Sequence, residues 1–198
     1  MSRSVADLIL KDDNFATIVV AIAEGRSIFN NIRKFTSYQL SCNYAQLSIV
    51  FIGVLLAPIW GWPVPMLLAL QILFMNLVTD NLPAITLGFN KASMDIMNEL
   101  PRKNAQVLTR DTILALIASA LGMTALYLLP FWFSYNVWGQ SMESARSLTL
   151  VTLIVLEIVG AFSFRSFRQG IFGRSLLVNK YLVGASLLSL LATLAILY

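Results

Sequence analysis

Long apolar runs separated by short polar stretches organise this chain. Five runs, 35–57, 64–89, 112–133, 146–164 and 176–198, are each long enough to cross hydrocarbon as a helix, which takes about 20 residues at 1.5 Å each. The pattern predicts an all-α fold, a polytopic helical membrane bundle of five transmembrane helices. Residues 25–34, with Arg26, Asn30, Asn31, Arg33 and Lys34, are polar and basic but contain no strong breaker. They read as a stalk that continues into the first span as one long helix. Pro58-Ile59-Trp60-Gly61-Trp62-Pro63 reads as a tight turn with two interfacial tryptophans. Ahead of the stalk, residues 1–24 are not a membrane segment. Leu8-Ile9-Leu10 reads as a short buried strand. Asp13 or Asn14 is placed to cap a helix whose Phe15, Ile18, Val19 and Ile22 repeat at helical spacing. So short a piece cannot bury a core of its own, and it is expected either to pack on something outside the chain or to be partly disordered.

Composition agrees with a membrane protein. Of the 198 residues, 58% are hydrophobic and 12% charged, against roughly 25% charged in a soluble domain. The net charge of +4 is spread over the connections between spans, so it is no nucleic-acid signal. Every Lys and Arg except Arg146 falls before span one, between spans two and three, or around the turn between spans four and five. Basic loops stay in the cytosol. An integral, multi-pass protein with a cytosolic amino terminus and the lipid bilayer as its surroundings is expected. There is no histidine and a single cysteine, Cys42. An internal disulfide is excluded, and on composition so are sites for soft or borderline metals such as copper and zinc, which favour thiolate and imidazole. A bound metal is expected to take oxygen ligands, as hard cations do.

The second span departs most from a plain apolar run. Asn76, Thr79, Asp80, Asn81 and Pro83 stand near its centre. A carboxylate there costs at least about 2.5–3.5 kcal/mol. Asn76, Thr79 and Asp80 follow i, i+3, i+4 spacing, which on a regular helix puts their oxygens on one face. Pro83 crowds the carbonyl of Thr79, so a half-unwound helix with a free carbonyl is expected, a form that ion sites in transporters use. Asn43 and Gln46 stand mid-way along span one and Glu157 near the centre of span four; Asp80 and Glu157 are the only acids in span interiors. The common depth lets three helices supply oxygens to one point. Three readings fit these residues: a cation cage, a structural polar cluster of neutral hydrogen-bonded acids, and a proton relay. A cation cage uses all six residues, a relay needs only Asp80 and Glu157, and structural glue needs no carboxylate.

Longer motifs resemble the carboxy-terminal part of a P-type cation-transporting ATPase of the calcium-pump class, from its fifth to its ninth membrane helix. Residues 6–15, Ala-Asp-Leu-Ile-Leu-Lys-Asp-Asp-Asn-Phe, are similar to the last segment of that family's phosphorylation domain. Glu24-Gly25-Arg26 and 30–35, Asn-Asn-Ile-Arg-Lys-Phe, resemble its stalk. Residues 76–84 resemble its sixth helix, and Leu87-Gly88-Phe89-Asn90 with Asp95-Ile96-Met97 the loop after it. The resemblance implies 1–24 as a remnant of the cytosolic phosphorylation domain, 25–34 as stalk and 35–198 as transmembrane domain. It implies cation ligands at Asn43 and Gln46 in the fifth helix, Asn76, Thr79 and Asp80 in the sixth, and Glu157 in the eighth. The transported ion would be Ca2+, or a similar hard cation such as Mn2+. Two-ion calcium pumps have glutamate where this chain has Gln46, which puts that stoichiometry in question.

The Asp-Lys-Thr-Gly phosphorylation motif and the Thr-Gly-Glu loop do not occur in the sequence. No catalytic residue is therefore assigned. ATP and Mg2+ would act only in an intact pump, whose other domains and helices are the expected partners, and the chain reads as a fragment or truncated product that is inactive alone. The competing readings are a stand-alone helical membrane protein with a structural or regulatory role, and a secondary cation or proton transporter.

Overall fold

A computed structural model describes residues 9, 14–90, 96–98, 107–166 and 178–197. The expected strand 8–10 lies outside these, save for Ile9. Among the described residues there is no strand, and five helices are long and apolar enough to cross a membrane. The chain is an all-α bundle.

Helix α1 runs unbroken from Phe15 to Trp60, 46 residues, or about 69 Å at 1.5 Å per residue. That is roughly twice the thickness of a hydrocarbon core, so stalk and first span are one rod that must protrude from a membrane. Asn14 caps its start, accepting from the amide of Ala16. The rod outlasts the expected turn at Pro58, whose ring fits within the final turn. It stops instead at Gly61, which adopts a left-handed conformation at φ 65°. The amide of Trp62 then reaches back to the carbonyl of Ala57 at 2.9 Å, a glycine stop of the Schellman kind.

The second span starts later than the hydropathy suggests, at Ala69 rather than 64. Pro63 and Pro65 hold the preceding segment out of a helix. It then comprises α2 (Ala69–Phe74), a π-helical segment (Met75–Asp80) and α3 (Asn81–Leu87) in one continuous column. The expected unwinding does not occur. Pro83 is accommodated within this column, although it lacks the N–H that would serve a carbonyl of the preceding turn. The third span, α4 (Arg110–Trp132), continues past 133 in π-helical turns to Val137. The fourth is α5 (Met142–Phe164) and the fifth α6 (Lys180–Leu197).

Helix α1 packs on α4, α5 and α3; α4 packs on α5; α6 packs on α3 and α5. Three apolar clusters stack along the bundle. Ala57, Trp62, Met66, Phe131 and Ala145 form one end. Ala45, Ile49, Met75, Tyr127, Leu150 and Leu153 belong to the middle. Tyr38, Cys42, Ala84, Leu87, Ala161 and Leu182 form the other end. Outward positions such as Leu47, Phe51, Leu73, Leu77, Leu121 and Leu191 remain apolar and exposed, as lipid-facing positions do. At the stalk end, the Asn31 amide donates to the carbonyls of Gly88 and Asn90 at 3.0 and 2.9 Å. Asn179 donates to the Thr86 carbonyl and to Asn90 Oδ1 at 2.8 and 2.9 Å.

Candidate cation site

Between the middle cluster and the stalk-end cluster, three helices bring polar side chains to one buried point. On α1 the inward stripe is Tyr38, Ser41, Cys42, Ala45, Gln46, Ile49 and Gly53. On α5 it is Thr149, Leu150, Leu153, Ile154, Glu157, Gly160 and Ala161. Both follow helical three-and-four spacing, so Gln46 and Glu157 face the core because their neighbours on the stripe do.

The second span reaches the same point differently. A π-helix closes its hydrogen bonds over five residues rather than four, so its inward residues fall further apart. Met75, Thr79 and Asp80 are the buried ones, at i, i+4 and i+5. Three side chains serve carbonyls of this column: Asn76 donates to Ile72, Thr79 to Met75 and Asn81 to Asn76, at 3.1, 3.1 and 2.6 Å.

Gln46 ties the two acids together. Its Nε2 donates to Asp80 Oδ2 at 2.7 Å and to Glu157 Oε1 at 2.9 Å. Asp80, Glu157 and Thr79 have no solvent exposure, and Gln46 has 4%. The other oxygen of each acid, Asp80 Oδ1 and Glu157 Oε2, is buried and meets no hydrogen-bond partner among the described residues. Native interiors seldom leave such atoms orphaned, and those that remain call for an explanation such as an ion or water. The carboxyls also lie close enough to interact directly, with Thr79 beside Glu157. The Cys42 sulfur completes the group: it and one carboxyl oxygen each of Asp80 and Glu157 all lie within 4.8 Å of one another. The hydroxyls of Tyr38 and Tyr127, both buried, stand around this cluster.

Of the six residues expected from the sequence, the structure brings together Gln46, Thr79, Asp80 and Glu157. It does not bring Asn43 there. Gln46 is at one edge of the α1 stripe, and three steps back, about 60° further round the helix, Asn43 leaves it and is exposed. Asn76 is half-buried, with its amide engaged on its own helix. Cys42 is the neighbour that a search for oxygens passes over. Its position four residues before Gln46, hence on the same face, was the available signal.

Residues 63–198 match the family of cation-transporting ATPase C-termini. Along its whole length the chain is 35% identical to a calcium-transporting ATPase of Bacillus subtilis, of which the match covers 22%. It is 34% identical to calcium-transporting ATPase 1 of Bacillus cereus, over 96% of this chain and 23% of that protein. It is 32% identical to an endoplasmic reticulum calcium ATPase of Aspergillus fumigatus, over 100% of this chain and 23% of that protein. The chain thus spans less than a quarter of the length of these curated relatives. It belongs to the cation-transporting ATPases and corresponds to the carboxy-terminal membrane region of that family.

Proposed function

We propose that this chain is the cation-binding membrane segment of an ATP-driven calcium pump, with Asp80 and Glu157 as its charged ligands. The observation that carries this reading is the pair of buried carboxyls, Asp80 and Glu157, brought together where three helices meet, each with one oxygen, Oδ1 and Oε2, that meets no hydrogen-bond partner among the described residues. Calcium takes about 6–8 oxygens from carboxylates, amides, hydroxyls, carbonyls and water. The two carboxyls, the Thr79 hydroxyl and the Gln46 amide oxygen supply part of that set. Gln46 turns its nitrogen to both acids. Rotating the amide end for end offers its oxygen to an arriving cation instead. Asn43 and Asn76 stand on flanking faces of the same helices and serve as further ligands once those faces are closed by other parts of a pump. Such a pump would supply ATP, Mg2+ and the phosphorylated domain, and the chain would lie in the bilayer with its stalk in the cytosol.

The names of the relatives, all calcium-transporting ATPases, favour Ca2+ as the ion over other hard cations. The long rod α1 suits the coupling, because a tilt applied at its stalk moves Gln46 relative to Asp80 and Glu157. The deciding experiment places Asp80→Asn in a complete pump carrying this segment. Calcium-dependent phosphorylation should be abolished, and Glu157→Gln should weaken calcium dependence less severely. Unaltered calcium dependence in Asp80→Asn overturns the assignment.

A further inference from the structure

The cluster at the centre of the bundle is not built of oxygens alone. Cys42 is fully buried, and its sulfur lies within 4.8 Å of the Asp80 and Glu157 oxygens, which in turn lie that close to each other. Two atoms that ligate one ion with bonds near 2.3 Å are at most about 4.6 Å apart, so small rotations of these side chains place all three around one metal. Each acid brings a buried oxygen with no partner among the described residues. We propose that this site also accepts a thiophilic divalent cation, Zn2+ or Cd2+, with Cys42 Sγ, Asp80 and Glu157 as ligands. The inference rests on the cation-site reading above and extends it from hard to borderline and soft ions.

The chemistry follows from ligand softness. A thiolate favours zinc and softer metals, whereas calcium gains nothing from sulfur and binds through oxygen. One sulfur with two carboxylates gives three protein ligands and leaves a fourth position, which a water or the Gln46 amide oxygen can fill. On binding, the metal replaces the thiol proton, which leaves to solvent. The argument from composition against such metals counted one cysteine and no histidine. It could not weigh the two carboxylates that the fold sets beside that cysteine.

Cys42 is the only cysteine in the chain, so a sulfur-to-cadmium charge-transfer band in the ultraviolet difference spectrum can arise only there. The test titrates Cd2+ into the full chain in lipid nanodiscs, with helical content checked by circular dichroism. The wild-type chain should give the band, saturating at one Cd2+ per chain. Cys42→Ser should abolish the band and weaken Cd2+ and Zn2+ binding at least ~10-fold. Asp80→Asn with Glu157→Gln should weaken the band at equal Cd2+, because the sulfur then stands without its charged partners. Cys42→Ala serves as a second sulfur-free variant should the serine chain lose helical content. A wild-type chain that binds Ca2+ but shows no band overturns this proposal and leaves the calcium site standing. A band indifferent to the two acids overturns it as well, since the thiol would be acting alone. Failure of the wild-type chain to bind Cd2+ overturns this proposal, whereas the calcium reading stands or falls on Asp80→Asn in a complete pump.

Discussion

Gln46 is the residue that joins the two buried acids. One amide nitrogen satisfies two buried carboxyls, at 2.7 and 2.9 Å. A buried polar group stripped of its partner costs about 1–3 kcal/mol, and more when charged. Gln46→Leu should therefore lower the thermal midpoint of the chain in detergent without Ca2+. Gln46→Glu puts a third carboxyl against the other two. It should destabilise the ion-free chain and enlarge the stabilisation by added Ca2+, since a ligand that binds only the folded state stabilises it by mass action. Thermal unfolding with chelator and with Ca2+ reads both effects. A Gln46→Glu chain less responsive to Ca2+ than wild type would contradict a cation site at this point. At this scale the sequence was legible where residues lie on a regular helix. Gln46 and Glu157 could be read as inward because they are polar side chains at a common depth in otherwise apolar spans. Spacing could not tell Asn43 from Gln46, because sharing a face is a loose condition when Gln46 sits at the edge of that face and Asn43 lies beyond it.

Helices themselves were easily read, because long apolar runs need only length and hydropathy to be recognised. Their ends and irregularities depended on finer chemistry. The α1 stop belongs to Gly61 rather than Pro58, since a proline ring is tolerated where a left-handed residue is not continued as helix. The π-helical segment Met75–Asp80 had no signature in hydropathy. In and beside the widened turn the side chains of Asn76, Thr79 and Asn81 donate to backbone carbonyls, and asparagine and threonine read equally well as ligands. Another contact invisible from sequence is the tie between the rod and the loop end of α3. Asn31, nearly buried, donates to the carbonyls of Gly88 and Asn90. Its motif neighbours marked a stalk but gave no hint of a partner some sixty positions away. Asn31→Leu should leave those carbonyls without this donor and cost about 1–3 kcal/mol. Denaturant unfolding in mixed micelles measures the loss, and Asn31→Asp, which keeps the shape but offers the carbonyls no amide hydrogen, should be no better.

For the whole molecule, the arrangement is a polar centre sealed between apolar clusters and wrapped in an apolar exterior. Its two ends differ in charge. Arg26 and Arg33 stand on the stalk side, bonded to the Ile96 carbonyl and to Thr112 respectively. On the opposite end Arg146 bonds to the Pro65 carbonyl and holds the 61–68 segment over α5. A cytosolic stalk is the placement we propose from the preference of basic loops for the cytosol, and it can be checked directly. In a Cys42→Ser background, a single reporter cysteine is introduced at Asn98 or at Glu143, both exposed and at opposite ends of the bundle. With the chain in the plasma membrane of intact cells, a membrane-impermeant maleimide added outside should label Glu143→Cys. Asn98→Cys should be labelled only after the membrane is opened. The reverse pattern would put the stalk outside, where no ATP-driven domain could act on α1, and the rod could not then carry phosphorylation to Asp80 and Glu157.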